Sequence, residues 1–148
     1  MHISEKGLAL IKEFEGLELK AYVCPAGVLT IGYGHTGPDV IPEMEITQAN
    51  ADDLLKGDLL IFEKEVSKLL EGLDVTQNQF DACVCLAYNI GIGNFKNSTL
   101  LKFITLGEYS DAAREFERWN KARDAAGNLR PLEGLTRRRK AERQLFEG

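Results

Sequence analysis

Glu15 and Thr30 are the side chains whose type and spacing best suit acid-assisted bond cleavage. Glu15 closes an apolar-periodic segment at Phe14-Glu15-Gly16. A glycine-punctuated hydrophobic stretch, Thr30-Ile31-Gly32-Tyr33-Gly34-His35-Thr36-Gly37, follows shortly after. That order predicts a carboxylic acid at a helix end, facing a small sheet that carries a hydroxyl. An acid and a hydroxyl held around a cleft suit the cleavage of a glycosidic bond. The glycines would let a polymer approach the strand backbone closely. Taken alone, a Glu at a helix end reads equally well as a surface residue. Cys24 and His35 offer a second chemistry, a thiol nucleophile with an imidazole partner, as in a cysteine amidase.

The elements that must hold these residues follow from periodicity. Ser4 is a cap for a first helix over about 5–15, with Leu8, Ile11 and Phe14 on its buried face and Gly16 as its stop. Between about 17 and 45 the helical period vanishes. Leu29, Ile31 and Tyr33 alternate as in a strand, and Pro25-Ala26-Gly27 is a turn before it, so a small antiparallel sheet of three short strands is expected. Thr36-Gly37-Pro38-Asp39 is loop chemistry. From Thr47 the chain reads as helical to its end. A long helix over about 48–71 comes first. Thr76-Gln77-Asn78-Gln79 then forms a capping box that opens a central buried helix, broken at Gly91-Ile92-Gly93-Asn94. Short helices follow over about 98–106, 110–121 and 134–146.

With 148 residues, one domain is expected, large enough for a core without staples. No stretch approaches the roughly 20 apolar residues of a membrane span. No basic region followed by an apolar run opens the chain, so synthesis in the cytoplasm without a signal peptide is expected. Three cysteines make no disulfide framework, and Cys83 and Cys85 read as core residues. Two histidines and no Cys-x-x-Cys speak against a metal site, and no cofactor is called for. The net charge of −5 is uneven: residues 1–95 hold 6 Lys/Arg against 15 Asp/Glu, residues 96–148 hold 12 against 8. Such polarity can orient a protein on an anionic polymer, although the run Arg137-Arg138-Arg139-Lys140 reads first as a solvated helix face. An acidic chain without a recognition motif argues against nucleic acid.

One combination is more specific. Glu15, eight residues, Cys24, five residues, Thr30 fits a Glu-x8-Asp/Cys-x5-Thr signature, and Thr30-Ile31-Gly32-Tyr33-Gly34-His35-Thr36 follows it. Ala87-Tyr88-Asn89-Ile90-Gly91, Phe95-Lys96-Asn97-Ser98-Thr99-Leu100-Leu101 and Gly134-Leu135-Thr136-Arg137-Arg138 come later in order. With these the chain resembles the phage-type lysozymes, the endolysin family of glycoside hydrolases that includes the bacteriophage T4 and P22 enzymes. The resemblance covers essentially the whole chain. It implies an α+β, lysozyme-like fold: a single domain over 1–148 with a small β-containing lobe at about 15–50. A long helix joins that lobe to a mainly helical lobe at about 70–148, to which the first helix also belongs.

The resemblance further implies hydrolysis of the β-1,4 bond between N-acetylmuramic acid and N-acetylglucosamine in peptidoglycan. Glu15 would be the general acid, Thr30 would orient the attacking water, and Tyr88, Asn89 and Ser98 would meet the saccharide, Ser98 reading equally as a helix cap. His35 would form a structural ion pair with Asp58. Trp119 reads as core, while Arg137 and Arg138 would face stem-peptide carboxylates or lipid phosphates, or only solvent. Asp is the commoner residue at position 24, and an ordinary thiol is mostly neutral there. Cys24 is then a base or nucleophile as a thiolate, or a passive neighbour, or a redox gate. Inversion is the family's implication, and a nucleophilic thiolate would imply the opposite. The family also implies a monomer that reaches the wall from the host cytoplasm through a holin-type pore. No stable membrane insertion is expected, beyond surface contact by the basic C-terminal helix. The rival to an active enzyme is a peptidoglycan-binding module weakened by the Cys24 substitution.

Overall fold

The computed structural model describes residues 1–148 and resolves into two compact units, Ile11–Ile61 and Met1–Leu10 with Phe62–Gly148. The divisions fall inside the first helix, α1 (Glu5–Glu15), and inside the long helix, α2 (Gln48–Leu69).

The 11–61 unit is built on an antiparallel sheet, β1 (Glu18–Val23), β2 (Leu29–Gly32) and β3 (His35–Thr36), in that spatial order. Thr30 pairs with Tyr22 on one side and Thr36 on the other. A bulge lies between Glu18 and Tyr22. The outer edge of β1 is covered by residues 44–46: Ala21 N–H donates to Met44 O at 2.9 Å and Ile46 N–H to Leu19 O at 2.9 Å. This covering satisfies an edge that would otherwise pair with another chain. Ile31 and Thr30, neighbours on opposite faces of β2, are both buried. A short strand buried on both faces does not alternate cleanly. At the start of α2, Thr47 Oγ1 accepts the Asn50 N–H at 3.1 Å, the side-chain cap that a threonine there supplies. Leu55 and Leu59 form the helix's buried face in this unit, with Ala51.

The other unit is organised by α3 (Gln77–Ile90). Its capping box is formed reciprocally by Thr76 and Gln79, and Phe80 to Ala87 are all buried. Cys83 and Cys85 lie in that core. Asp81, also fully buried, accepts the backbone N–H of Ser4 at 3.0 Å, the Ser4 hydroxyl, and Gln77 Nε2 at 2.7 Å. Ser4 thus ties the start of α1 to α3. After Gly91, at φ +93°, come α4 (Ile92–Lys96), α5 (Thr99–Thr105), α6 (Tyr109–Glu115) running into a 3₁₀ turn at Phe116–Trp119, and α7 (Glu133–Glu147).

Two expectations are corrected here. The chain is not helical throughout from Thr47, because β4 (Lys121–Arg123) and β5 (Leu129–Pro131) form a hairpin. The basic run on α7 is not a solvated face: Arg138 and Arg139 are buried, and only Arg137 and Lys140 are exposed. Both buried guanidiniums pair with the buried Glu142, Arg138 Nε at 3.1 Å from Oε2 and Arg139 Nη1 against Oε1. Glu142 offsets one of the two buried positive charges, and the oxygens of Cys85, Trp119 and Asn89 accept further guanidinium N–H groups, which makes the burial tolerable. Replacing Asp81 with Ala removes the acceptor of the part-buried Ser4 N–H and hydroxyl, and one of the two acceptors of the Gln77 amide, which also donates to His2 O at 2.8 Å. We expect that variant to lose about 2 kcal/mol of stability, read by urea unfolding, with Asp81→Asn milder.

Candidate active site

Glu15 is the last residue of α1, and Gly16 turns the chain at φ +74° with its N–H on Lys12 O at 3.1 Å. The Glu15 carboxyl is half-buried against the Tyr33-Gly34 turn that joins β2 to β3: a Cβ built on Gly34 would stand 3.1 Å from Glu15 Oε1. Gly34 has φ +84°, so glycine serves both the left-handed turn and the close approach of the carboxyl. Lys12, one helical turn earlier, holds its ammonium 5.6 Å from the centre of the Tyr33 ring and 3.0 Å from Asp52 Oδ1. These contacts seat the end of α1 on the sheet.

Thr30 is buried at the centre of the sheet, and its hydroxyl donates to Val28 O at 2.9 Å. Cys24 begins the turn just before β2. Its N–H bonds Val28 O at 2.9 Å, and Gly27 N–H bonds Cys24 O at 2.8 Å with Gly27 at φ +81°. The second hairpin repeats this turn. Asp124 N–H bonds Asn128 O at 2.9 Å, and Gly127 N–H bonds Asp124 O at 3.0 Å with φ +84°. There the Asp124 carboxylate accepts the N–H groups of Ala126 and Asn128, both at 2.9 Å. The Cys24 thiol meets the backbone of the same two offsets. Val28 foremost, against a lesser opposing effect of desolvation, then Ala26 and the Thr30 hydroxyl, draw its pKa below the usual thiol value. Burial pushes the Cys83 and Cys85 thiols the other way. The turn's backbone therefore favours the ionised form of Cys24 relative to an ordinary thiol.

His35 Nδ1 lies 2.8 Å from Asp58 Oδ2, and its Nε2 lies 2.8 Å from Asp39 Oδ2. Desolvation would lower the imidazole pKa, but the carboxylates of Asp58 and Asp39 together outweigh it and raise the value. An imidazole with a carboxylate on each nitrogen has no basic nitrogen left to activate Cys24, which removes the base a cysteine amidase needs. Asp39 was not foreseen, because no periodicity brings a loop side chain back onto its own strand.

The sequence matches the phage lysozyme family over residues 12–142. The chain belongs to that family. It is 49% identical to the endolysin of Acyrthosiphon pisum secondary endosymbiont phage 1, over 99% of each chain. It is 48% identical to the endolysin of Bacillus phage B103 over 99% of its own length, while spanning 54% of that relative. The muramidase domain of SpmX from Asticaccaulis excentricus superimposes with a TM-score of 0.92 at 39% identity, covering 99% of this chain and 98% of that one. The fold is thus α+β and lysozyme-like, and the protein is a glycoside hydrolase that cleaves peptidoglycan in host lysis.

For a phage lysozyme, the residues named for saccharide contact differ in character. Tyr88 is half-buried with its ring edge-on to Phe62, centroids 5.3 Å apart. Asn89 is exposed at the end of α3, and its Oδ1 accepts from Arg139 Nη2. Ser98 is buried; its hydroxyl donates to Phe95 O at 2.7 Å and accepts the Leu101 N–H at 3.1 Å. With its one proton held inside the fold, Ser98 is the cap of α5 and has none to give a sugar. Trp119 is half-buried and offers its carbonyl to Arg139 Nε at 2.7 Å.

The His35 pairs make stability depend on pH with a definite sign. The folded imidazole has the higher pKa, so its contribution is complete below the ordinary value near 6.5 and fades as pH rises through the raised one. We expect the stability advantage of wild type over His35→Asn, measured by thermal unfolding, to be largest at about pH 5 and to shrink above neutrality.

Proposed function

We propose that the chain hydrolyses the β-1,4 bond between N-acetylmuramic acid and N-acetylglucosamine, with Glu15 as the general acid that protonates the departing oxygen. Thr30 orients the attacking water, and Cys24, as a thiolate, supplies the negative charge that an oxocarbenium-like transition state needs nearby. Tyr88 and Asn89 are the saccharide contacts. The observation that carries this reading is the Glu15 carboxyl held against the Gly34 backbone, on the sheet whose central strand bears Thr30 and whose first turn bears Cys24. The amide turn around Cys24, the same turn that elsewhere in this chain holds a carboxylate, supports an anionic role for the thiol and weighs against a module that has lost its activity.

The enzyme works as a monomer on glycan strands and reaches the wall from the host cytoplasm through a holin-type pore. No helix is long and apolar enough to cross a membrane. Any surface contact by α7 with lipid would rest on Arg137 and Lys140, the cations of its basic run that face solvent.

The test is lysis of outer-membrane-permeabilised bacteria, followed by turbidity. Glu15→Gln loses about 1,000-fold in rate with its circular dichroism spectrum unchanged, and new reducing ends appear with wild type alone. A Glu15→Gln enzyme of substantial activity would refute the acid assignment.

The thiolate role has its own signature. Cys24→Ser, which cannot ionise in the working range, loses about tenfold, less than Glu15→Gln. Cys24→Asp stays active at neutral pH and extends activity to lower pH, since a carboxylate ionises near 4. Equal pH profiles for wild type, Ser and Asp variants would make Cys24 a bystander.

A further inference from the structure

Asn89 carries one amide with two faces, an oxygen that accepts and an NH2 that donates, and a glycan could meet either. The environment decides which. Arg139 is fully buried and its guanidinium is held at three points: Nε donates to Trp119 O at 2.7 Å, Nη1 to Glu142 Oε1, and Nη2 to Asn89 Oδ1. A guanidinium has donors only, so the Asn89 atom it meets must be the oxygen. The amide cannot turn over without setting its NH2 against a buried cation and leaving one of that cation's donors unfilled. Desolvated donors of a charged group are expensive to strand.

We infer that Arg139 is a positioning residue, fixing the Asn89 amide so that it presents Nδ2–H, and only Nδ2–H, to an acceptor oxygen of the glycan. The inference deepens the proposed function and rests on its reading of Asn89 as a saccharide contact. A fixed donor is met best by a carbonyl or carboxylate oxygen, as an acetamido or lactyl substituent carries, and less well by a hydroxyl. The interaction is made in the ground state and the transition state alike, so its loss should appear in KM and not in kcat.

Asn89→Asp is the decisive variant, because it keeps an oxygen for Arg139 and replaces the NH2 with a second oxygen. On soluble uncross-linked peptidoglycan we expect KM to rise about tenfold with kcat within twofold, and the melting temperature to be at least that of wild type. The increase should persist between low and moderate salt, since a charge repulsion would fade with screening and a missing donor would not. Asn89→Ala should show a similar rise.

Wild-type KM for Asn89→Asp beside a raised KM for Asn89→Ala would mean the oxygen faces the glycan, and would overturn the inference while leaving Asn89 as a contact. Unchanged KM in both would remove Asn89 from the substrate site and the inference with it. A KM rise in Asn89→Asp that vanishes at moderate salt would also overturn it. Adding Arg139→Lys to Asn89→Ala should raise KM no further, because Arg139 acts through the amide. An additional rise in a folded double variant would give Arg139 a separate role.

Discussion

A buried carboxylate between two buried guanidiniums governs how the larger unit is put together. Glu142 meets Arg138 and Arg139 on its own helix, and the same guanidiniums reach Cys85 O on α3, Trp119 O at the end of the 3₁₀ turn, and the side chain of Asn89. Desolvation pushes the Glu142 pKa up, against the pull of both arginines, and lowers that of Arg139. Such a cluster adds little net stability compared with an apolar core of the same volume. Its value lies in uniqueness. The guanidiniums bond side chains and carbonyls on α3, α7 and the 3₁₀ turn together, so the docking of α7 is tied to the placement of both.

The pattern that hid this cluster is instructive. Arg137-Arg138-Arg139-Lys140 looks like a solvated face because runs of charge usually are. Periodicity would have dissented. Positions 138, 139, 142 and 146 recur at helical spacing, and Phe146 lies in the core against Phe116, ring centroids 5.3 Å apart. A glutamate three and four residues beyond two arginines, on a stripe ending in a phenylalanine, is the signature of an internal ion pair. The error came from reading residue type ahead of position. Most of the remaining architecture was legible for the opposite reason. Leu55, Leu59 and Val66, like the Thr76–Gln79 box, carry their message in spacing.

The missed hairpin shows a different limit. Lys121-Ala122-Arg123 and Leu129-Arg130-Pro131 have no β-branched residue, and their alanine and arginine favour helix. What makes them strands is the loop between them. Asp124 accepts two backbone N–H groups and the Arg130 guanidinium, and Arg123 donates to Gly127 O at 2.8 Å. The only sequence cue was Asp124-x-x-Gly127-Asn128. The matching cue at Cys24-Pro25-Ala26-Gly27-Val28 was read as a turn because a hydrophobic strand followed it. Local turn chemistry is equally strong in both places; only the strand signal differs.

That recurrence bears on why a cysteine can stand where a carboxylate is the commoner choice. In the 124–128 loop the amides at offsets two and four close on an oxygen that is already charged in solution. In the 24–28 loop they close on a thiol, which must first give up its proton. The backbone supplies the same field in each case, because Gly27 and Gly127 take the same left-handed conformation and the same pair of main-chain bonds closes each turn. A side chain with a higher intrinsic pKa gains more from such a field than aspartate does, since aspartate is ionised with or without it. The turn therefore draws the thiol toward the ionised form in which aspartate stands unaided. The Thr30 hydroxyl, which has one proton, bonds the Val28 carbonyl yet also adjoins the thiol. With that proton on the carbonyl, the hydroxyl oxygen keeps lone pairs to accept from the water it is proposed to orient.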